Sequence, residues 1–401
     1  MDAPRYRWVV LAVGTCAQGA TAAYFLGLAA VTPALRDYFA LDLAGVGVLI
    51  GVISVGLVPT LIPWGAAADR FGERGVMTIG LLGAATALGA TALQTDPVAA
   101  GALLVLAGAS GAAVNAASGR AVMTWFPAGS RGFAMAVRQT SVPLGAALAA
   151  LALPVVAVTG GVPAVFVTLA LTSLAAAVAV AVWVREPPGA PARRVRATGR
   201  TRDVLADRRL QRLSLAGLLL VVPQFLGSVF LVEILHEGSG LPLAAAGALL
   251  GLTQLLGAAG RLGNGMWSDR AGRLRPLRIV AAAVAAGFAL AALVQPGPVV
   301  LLAAVLVPAA ALAISWNGLV FTAAGELAPP GRAATAMAVS NTANYVAAAA
   351  TPVLGGLVAQ ALGWPAMLTL GAVAALGAIA ALHHLAEPGG VAAPAPARTR
   401  T

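Results

Sequence analysis

The sequence predicts an all-α integral membrane protein whose twelve transmembrane helices form two pseudosymmetric six-helix bundles. Three observations lead there. The 401 residues are 60% hydrophobic and only 10% charged, where a soluble domain carries roughly a quarter charged residues. The charges leave long gaps: none falls in 8–35, 43–68, 75–95, 97–119, 139–184, 213–232, 238–260 or 279–325, nor, His aside, in 333–386. The chain also repeats itself at a displacement near 200 residues.

Each gap suffices for a helix crossing a hydrocarbon core about 30 Å thick, which takes ~20 residues. The longest divide at turn signals such as Gly160-Gly161, Gln295-Pro296 and Gly363-Trp364-Pro365. The expected spans are 8–34, 44–66, 75–95, 98–125, 131–157, 162–184, 213–236, 243–267, 277–295, 297–325, 333–360 and 364–384. Barrel strands are excluded because the apolar runs are unbroken rather than alternating. No cleavable signal is expected, since the apolar run after Arg5 and Arg7 is far longer than a signal peptide's. The single cysteine, Cys16, lies in the first span and forms no internal disulfide.

All 25 basic residues are Arg. With twelve spans, the termini and one set of loops share a face that holds Arg5, Arg7, Arg70, Arg74, Arg131, Arg270, Arg273, Arg275, Arg278, Arg332, Arg398 and Arg400; Arg36 alone lies in the opposite loops. The positive-inside rule puts both termini in the cytoplasm, in a multi-pass protein of the cell inner (plasma) membrane. The connector RRVRATGRTRDVLADRRLQR at 193–212 adds to the same face and suits anionic lipid. These arginines flank membrane spans, and no soluble domain is left to present them to nucleic acid. The expected organisation is a six-helix half at 1–184, an Arg-rich connector at 185–212, a second half at 213–386 and a disordered Pro/Ala-rich tail at 387–401.

The repeat is specific. GAAADRFGER at 65–74 is answered by GMWSDRAGRL at 265–274, so Gly65, Asp69, Arg70 and Gly72 recur as Gly265, Asp269, Arg270 and Gly272. AMAVRQT at 134–140 is answered by AMAVSNT at 336–342, and Asn115 by Asn317. Duplicated halves of this kind place a solute site between them near the bilayer midplane. Gly allows a tight turn and close helix approach, and Asp69 and Asp269 suit a helix N-terminus, which favours negative charge. Arg70 and Arg270 are expected to pair across the seam between the halves. The G-x-x-x-D-R-x-G motif, once in each half at corresponding loops, resembles the major facilitator superfamily. That resemblance covers nearly the whole chain. It implies alternating access, with Gly65, Asp69, Arg70, Gly72, Arg74, Gly265, Asp269, Arg270 and Gly272 forming latches on the cytoplasmic side. Glu73 replaces the family's usual basic residue, which implies a weaker first latch.

Ionisable residues inside a membrane bundle are costly and are functional candidates by default. Arg138 lies about 10 Å into span five, Arg261 about 12 Å into span eight, and Arg120 in the inner third of span four. Their repeat counterparts are Ser340, Leu61 and Thr322, so each charge is one-sided. With no acidic partner evident at their depth, two roles stay open: contact with an anionic solute, or snorkelling and bonds to backbone carbonyls. Pro143 cannot donate to the Gln139 carbonyl, which leaves that acceptor free. Gln139, Asn115, Asn317, Asn341, Tyr345, Gln18, Tyr24 and Gln224 complete the candidate solute site, each weighed against an ordinary interhelical hydrogen bond.

Other classes are set aside on the residues. No P-loop and no Lys exist, and three His and one Cys make no metal site. The Arg and G-P-x-x-G-G signatures of many drug/proton antiporters are unmatched: Leu104 stands at the Arg position and VPLGAAL at 142–148 at the second. The expectation is a non-enzymatic, cofactor-free secondary transporter of a small anionic solute, monomeric and drawing on a proton or ion gradient. The alternatives are an exporter of a hydrophobic drug or metabolite and a non-transporting membrane sensor.

Overall fold

The computed structural model describes residues 3–187, 200–236, 238–295 and 297–387. Part of the Arg-rich connector, 188–199, and the tail from 388 lie outside them. Among the described residues every regular element is helical. Nine stretches are long and apolar enough to cross a membrane. One of them, Ala128–Trp183, holds two spans, and Glu73–Thr91 and Leu243–Ala271 bring the number to twelve.

In the first half α1 (Ala3–Gly27) passes through a 3-10 turn, Leu28–Val31, into α2 (Thr32–Phe39). α3 (Leu43–Phe71) starts at Asp42, whose carboxylate accepts the Gly45 N–H at 2.7 Å. α4 spans Glu73–Thr91. α5 (Pro97–Trp125) starts at Asp96, which accepts from Ala99. Both starts are ordinary side-chain N-caps. α6 (Ala128–Trp183) reverses at Gly161, whose φ of +73° suits glycine. Trp125, just before α6, donates its indole N–H to the carbonyl of Arg185, just after it, so both ends share one face.

In the second half α7 (Thr201–Ala206) leads into α8 (Arg208–His236), α9 (Leu243–Ala271) and α10 (Leu274–Val294). The tenth span breaks at Ser315-Trp316 into α11 (Val299–Ile314) and α12 (Asn317–Leu327); α13 (Ala333–Leu362) and α14 (Trp364–Leu382) follow. The break falls immediately before Asn317-Gly318, a turn-type dipeptide set in an uncharged run long enough to be read as one span. α8 starts earlier than the expected residue 213, since Asp207 caps it by accepting the Arg209 N–H.

Leu28, Ile53, Leu88, Leu104 and Phe166 pack together in the first half. Leu220, Leu226, Phe288, Leu306 and Trp316 pack in the second, in a cluster that continues across the closed end to Leu11, Val122, Phe126 and Met135 of the first. α3 and α5 touch backbone to backbone at Gly56 and Gly108, where any Cβ would run into the Val105 or Ile53 carbonyl. Large apolar side chains such as Leu171, Leu290 and Leu376 stay exposed on the outside of the bundle, as a hydrocarbon solvent allows.

The halves meet along two seams, α3 against α13 and α6 against α9. Both seams are tight at the end that carries the chain's described termini. At the other end they part: Gly47 and Gly51 of α3, and Gly247 and Gly251 of α9, have open space where a Cβ would stand. Leu148 of α6 and Leu252 of α9 are likewise exposed. The two-bundle molecule is thus closed at one end and open at the other.

Candidate functional site: the interhelical cleft and its seams

The parting of the halves leaves a cleft of about 890 Å³, its open mouth included. Seven carboxamides line it: Gln18, Asn115, Gln139, Gln224, Asn317, Asn341 and Asn344. Thr21, Tyr24, Tyr345 and Arg261 add polar groups, and Phe25, Phe225 and Phe321 add aromatic faces. Phe25 and Tyr345, from opposite halves, meet edge to face with centroids 5.6 Å apart. No Asp or Glu is among these lining residues. Nine of the eleven residues proposed from sequence as a solute site therefore share one cleft. Asn344 and the three phenylalanines are additions; the polar run SNTANY could have signalled Asn344, whereas a Phe in a membrane helix gives no such signal.

The two exceptions are Arg120 and Arg138. Arg120 is neither unpaired nor a cavity residue. Its guanidinium bonds Glu73 and lies 3.7 Å from Asp69. The expected lack of an acidic partner fails here because Glu73 stands at the loop end of α4 and folds inward, only 3% exposed. Its replacement of a basic residue supplies a counter-ion for Arg120 within the first half.

Arg138 is buried, 2% exposed, and absent from the cleft wall. It borders a separate small cavity toward the closed end, lined by Val10, Leu11, Gly14, Ser118, Ala121, Val122 and Phe126. Its Nη1 donates to Gln139 Oε1 at 2.7 Å and its Nη2 to the Asn115 carbonyl at 3.4 Å. The guanidinium sits 5.9 Å from the Phe321 ring centroid, a cation–π range. Its Nε has no partner. The twin, Ser340, is satisfied within its own half by Ser214, 2.8 Å away.

Arg261 does line the cleft, with all its described bonds going to neutral acceptors. Nε donates to the Ile314 carbonyl at 2.9 Å, Nη1 to the Gln139 carbonyl at 2.7 Å and Nη2 to Asn317 Oδ1 at 3.1 Å. The broken tenth span exposes the first acceptor. Pro143, which cannot donate one turn later, frees the second. Gln139 thus serves both arginines, Arg138 with its amide and Arg261 with its carbonyl. Gln18 Nε2 joins the group, 3.4 Å from both Gln139 Oε1 and Asn115 Oδ1.

The closed end is held by two like arrangements. Asp69 of α3 accepts the N–H groups of Ala334 and Thr335 at 3.0 and 2.9 Å, and the Thr335 hydroxyl at 2.6 Å. Asp269 of α9 accepts those of Gly132 and Phe133 at 2.8 and 3.0 Å. Asp69 thus sits on the first turn of α13, where the exposed N–H groups and helix dipole favour it, and Asp269 sits one turn into α6, on the N–H groups of its fifth and sixth residues. Glycine makes the approach possible. A Cβ on Gly65 would stand 2.8 Å from that of Ala338, and one on Gly265 2.6 Å from the Gly132 carbonyl oxygen. Gly72 and Gly272 take φ of +87° and +83° to turn the loops.

Arg70 and Arg270 are exposed and do not supply the seam bonds just described. Arg70 lies over the Phe71 ring, and Arg270 reaches only the Met266 carbonyl of its own helix at 3.5 Å. Arg273, the repeat partner of Glu73, is the buried base instead. It bonds Asp269 at 2.7 Å, Glu326 at 3.0 Å and, across the seam, the Ala128 carbonyl. Burial opposes its charge, yet Glu326 and Asp269 hold the guanidinium above its ordinary value. The two halves therefore carry inverted pairs, acid on the loop and base on span four in one, base on the loop and acid on span ten in the other. Sequence reasoning missed this, although the opposite charges at Glu73 and Arg273 are visible once the repeat is aligned. Arg74 is exposed on the first loop. Among the described residues no cluster of His, Cys, Asp or Glu could hold a metal ion.

Comparison with known proteins agrees with this architecture. A family model described as Major Facilitator Superfamily matches residues 11–352. An uncharacterised MFS-type transporter of Mycobacterium tuberculosis (strain ATCC 25618 / H37Rv) is 37% identical over 371 residues, covering 90% of this chain and 81% of that protein. Among solved structures, the proton:xylose symporter XylE superposes with TM-score 0.76 at 16% identity, over 96% of this chain and 97% of its own. The human organic anion transporter MFSD10 does so with TM-score 0.76 at 19% identity, over 95% and 100%. With the family model, the relative, the duplicated bundles and the paired loops in agreement, the chain belongs to the major facilitator superfamily, as a multi-pass membrane transporter.

Proposed function

We propose that the protein is a secondary transporter that moves a small anionic solute by alternating access, with its termini and latched end in the cytoplasm of the inner membrane. In that orientation the cleft opens outward. The observation that carries the anion is the pair of guanidinium groups around Gln139, none of whose described partners is a carboxylate. A buried cation held only by neutral dipoles keeps a net positive potential. An anion entering the cleft supplies the missing charge. No carboxylate lines the cleft to carry a coupled proton, so a co-transported proton would ride on the solute.

The seven carboxamides favour a second reading, a neutral solute rich in hydroxyl or amide groups. They argue against a hydrophobic drug, whose binding would leave those groups unpaired. A sugar symporter and an organic anion transporter share this fold below 20% identity, so the fold does not choose between the readings. Uptake into proteoliposomes decides. Arg261→Gln and Arg138→Gln are expected to lower uptake of acetate, succinate or nitrate more than tenfold while melting as folded protein. Uptake of a neutral polyol alone, indifferent to both substitutions, would overturn the anionic reading.

A further inference from the structure

We propose that Arg261 is a cross-half tie on the floor of the cleft, and that a bound anion releases it. The tie is the bond from Arg261 Nη1 on α9 to the Gln139 carbonyl on α6, at 2.7 Å. It joins the two halves along the same seam as Asp269 with Gly132 and Phe133. Along that seam residue numbers of facing positions run in opposite directions: Gly132 meets Ser268, Ala136 meets Gly265 and Gln139 meets Arg261. Arg261 is thus the described seam bond nearest the point where α6 and α9 part toward exposed Leu148 and Leu252.

Geometry makes this bond conditional. The guanidinium faces the cleft, while its acceptors are two backbone carbonyls and one amide oxygen. A carboxylate or nitrate accepts from the same fork of donors and adds the attraction of a full opposite charge, which a neutral carbonyl or amide oxygen lacks. An anion taking Nη1 and Nη2 displaces the Gln139 carbonyl and Asn317 from the fork. The second half then loses its innermost hold on α6. The freed carbonyl keeps no helical donor, because residue 143 is proline. Occupancy of the cleft is in this way linked to the strength of the closed seam. The release step rests on the anionic reading above; the tie does not.

The test measures the outer opening directly. Spin labels at Leu148→Cys and Leu252→Cys, in a Cys16→Ser background reconstituted in nanodiscs, report the distance across the open end. In the parent the long distance dominates. Arg261→Ala shifts the ratio of open to closed populations toward closed by about tenfold, the size of one charge-assisted hydrogen bond. Pro143→Ala shifts it the same way and less, because an alanine N–H offers the Gln139 carbonyl a helical donor while the guanidinium stays in place. The Pro143 variant guards against misfolding of the Arg261 variant. Acetate, succinate and nitrate are each added against matched chloride. At least one moves the parent toward closed, and none moves Arg261→Ala further. Distributions that match the parent in both variants overturn the tie. A shift in the variants with no response of the parent to any of the three anions overturns the release step and, with unchanged anion uptake, the anionic reading, while the tie stands.

Discussion

At the scale of the residue, one charge decides most local questions, and the decisive charge is not always the one that stands out. By sequence Arg120 is a lone cation in a membrane helix; in the structure Glu73 pairs with it from the loop end of α4. Breaking a largely buried pair by removing one partner is costly because the other stays charged, though Arg120 keeps 17% of its side chain exposed. Glu73→Gln is therefore expected to destabilise the folded protein by about 1–3 kcal/mol, read as a lower melting temperature in detergent. Glu73→Arg with Arg120→Glu is expected to recover most of the loss, and a double variant no better than the singles would show that the pair contributes little. What sequence reveals at this scale is the residue, not its partner. Arg261 and its freed Gln139 carbonyl are both legible, the latter from Pro143, but nothing in the sequence says that one satisfies the other. Arg138 reads as a site residue because it is ionisable at membrane depth; its neighbour Gln139 does line the cleft, and a single step around a helix turns a side chain by about 100°, enough to carry Arg138 behind the wall.

At the scale of the element, small residues set how near two helices come. The spans are legible because each needs an uncharged run of fixed length, and their turns because Gly161 and Gly363 take positive φ at matching places in the two halves. The break between α11 and α12 is easily passed over, since its one mark, Asn317-Gly318, stands inside an uncharged run of span length. Arg261 and Asn264 fill the break: Arg261 bonds the Ile314 carbonyl and Asn264 the Ser315 hydroxyl at 2.8 Å. Gly265 illustrates the consequence of close approach. A Cβ there would press on the Gly132 carbonyl and on Ala136, so Gly265→Val is expected to hold α9 away from α6 at the closed end. Most buried apolar contacts lie within one half or the other and are untouched by this change, so melting should change less than transport does. The distance between labels at Leu148→Cys and Leu252→Cys should shorten as the outer end closes, and transport should fall more than tenfold. Loss of thermal stability in place of this shift would mean that the glycine serves the fold rather than the movement.

At the scale of the molecule, two latches join two halves, and the duplication makes their coupling measurable. Asp69 and Asp269 occupy equivalent loops and act on opposite seams, each bonding backbone N–H groups near the start of a helix in the other half. They are not equally supported. Asp269 shares its charge with Arg273 at 2.7 Å, which also reaches Glu326 and the Ala128 carbonyl across the seam; Asp69 adds the Thr335 hydroxyl and a longer ion pair with Arg120 at 3.7 Å. Each aspartate-to-asparagine change removes the charge from two backbone bonds, a loss of about 1–3 kcal/mol from the closed end. Asp269→Asn also takes from Arg273 its 2.7 Å partner, so it should cost more thermal stability than Asp69→Asn, which takes from Arg120 only the longer 3.7 Å contact and leaves its bond to Glu73. If the halves move as rigid bodies between two states, both seams open together. The free energies by which the two substitutions shift that equilibrium then add, because neither residue touches the other's partners. The outer-end distance measured for Asp69→Asn, Asp269→Asn and the double variant is expected to give additive shifts within about 0.5 kcal/mol. A double variant that moves no further than the larger single would show that one seam opens first, and that the pseudosymmetry of the fold does not extend to its motion.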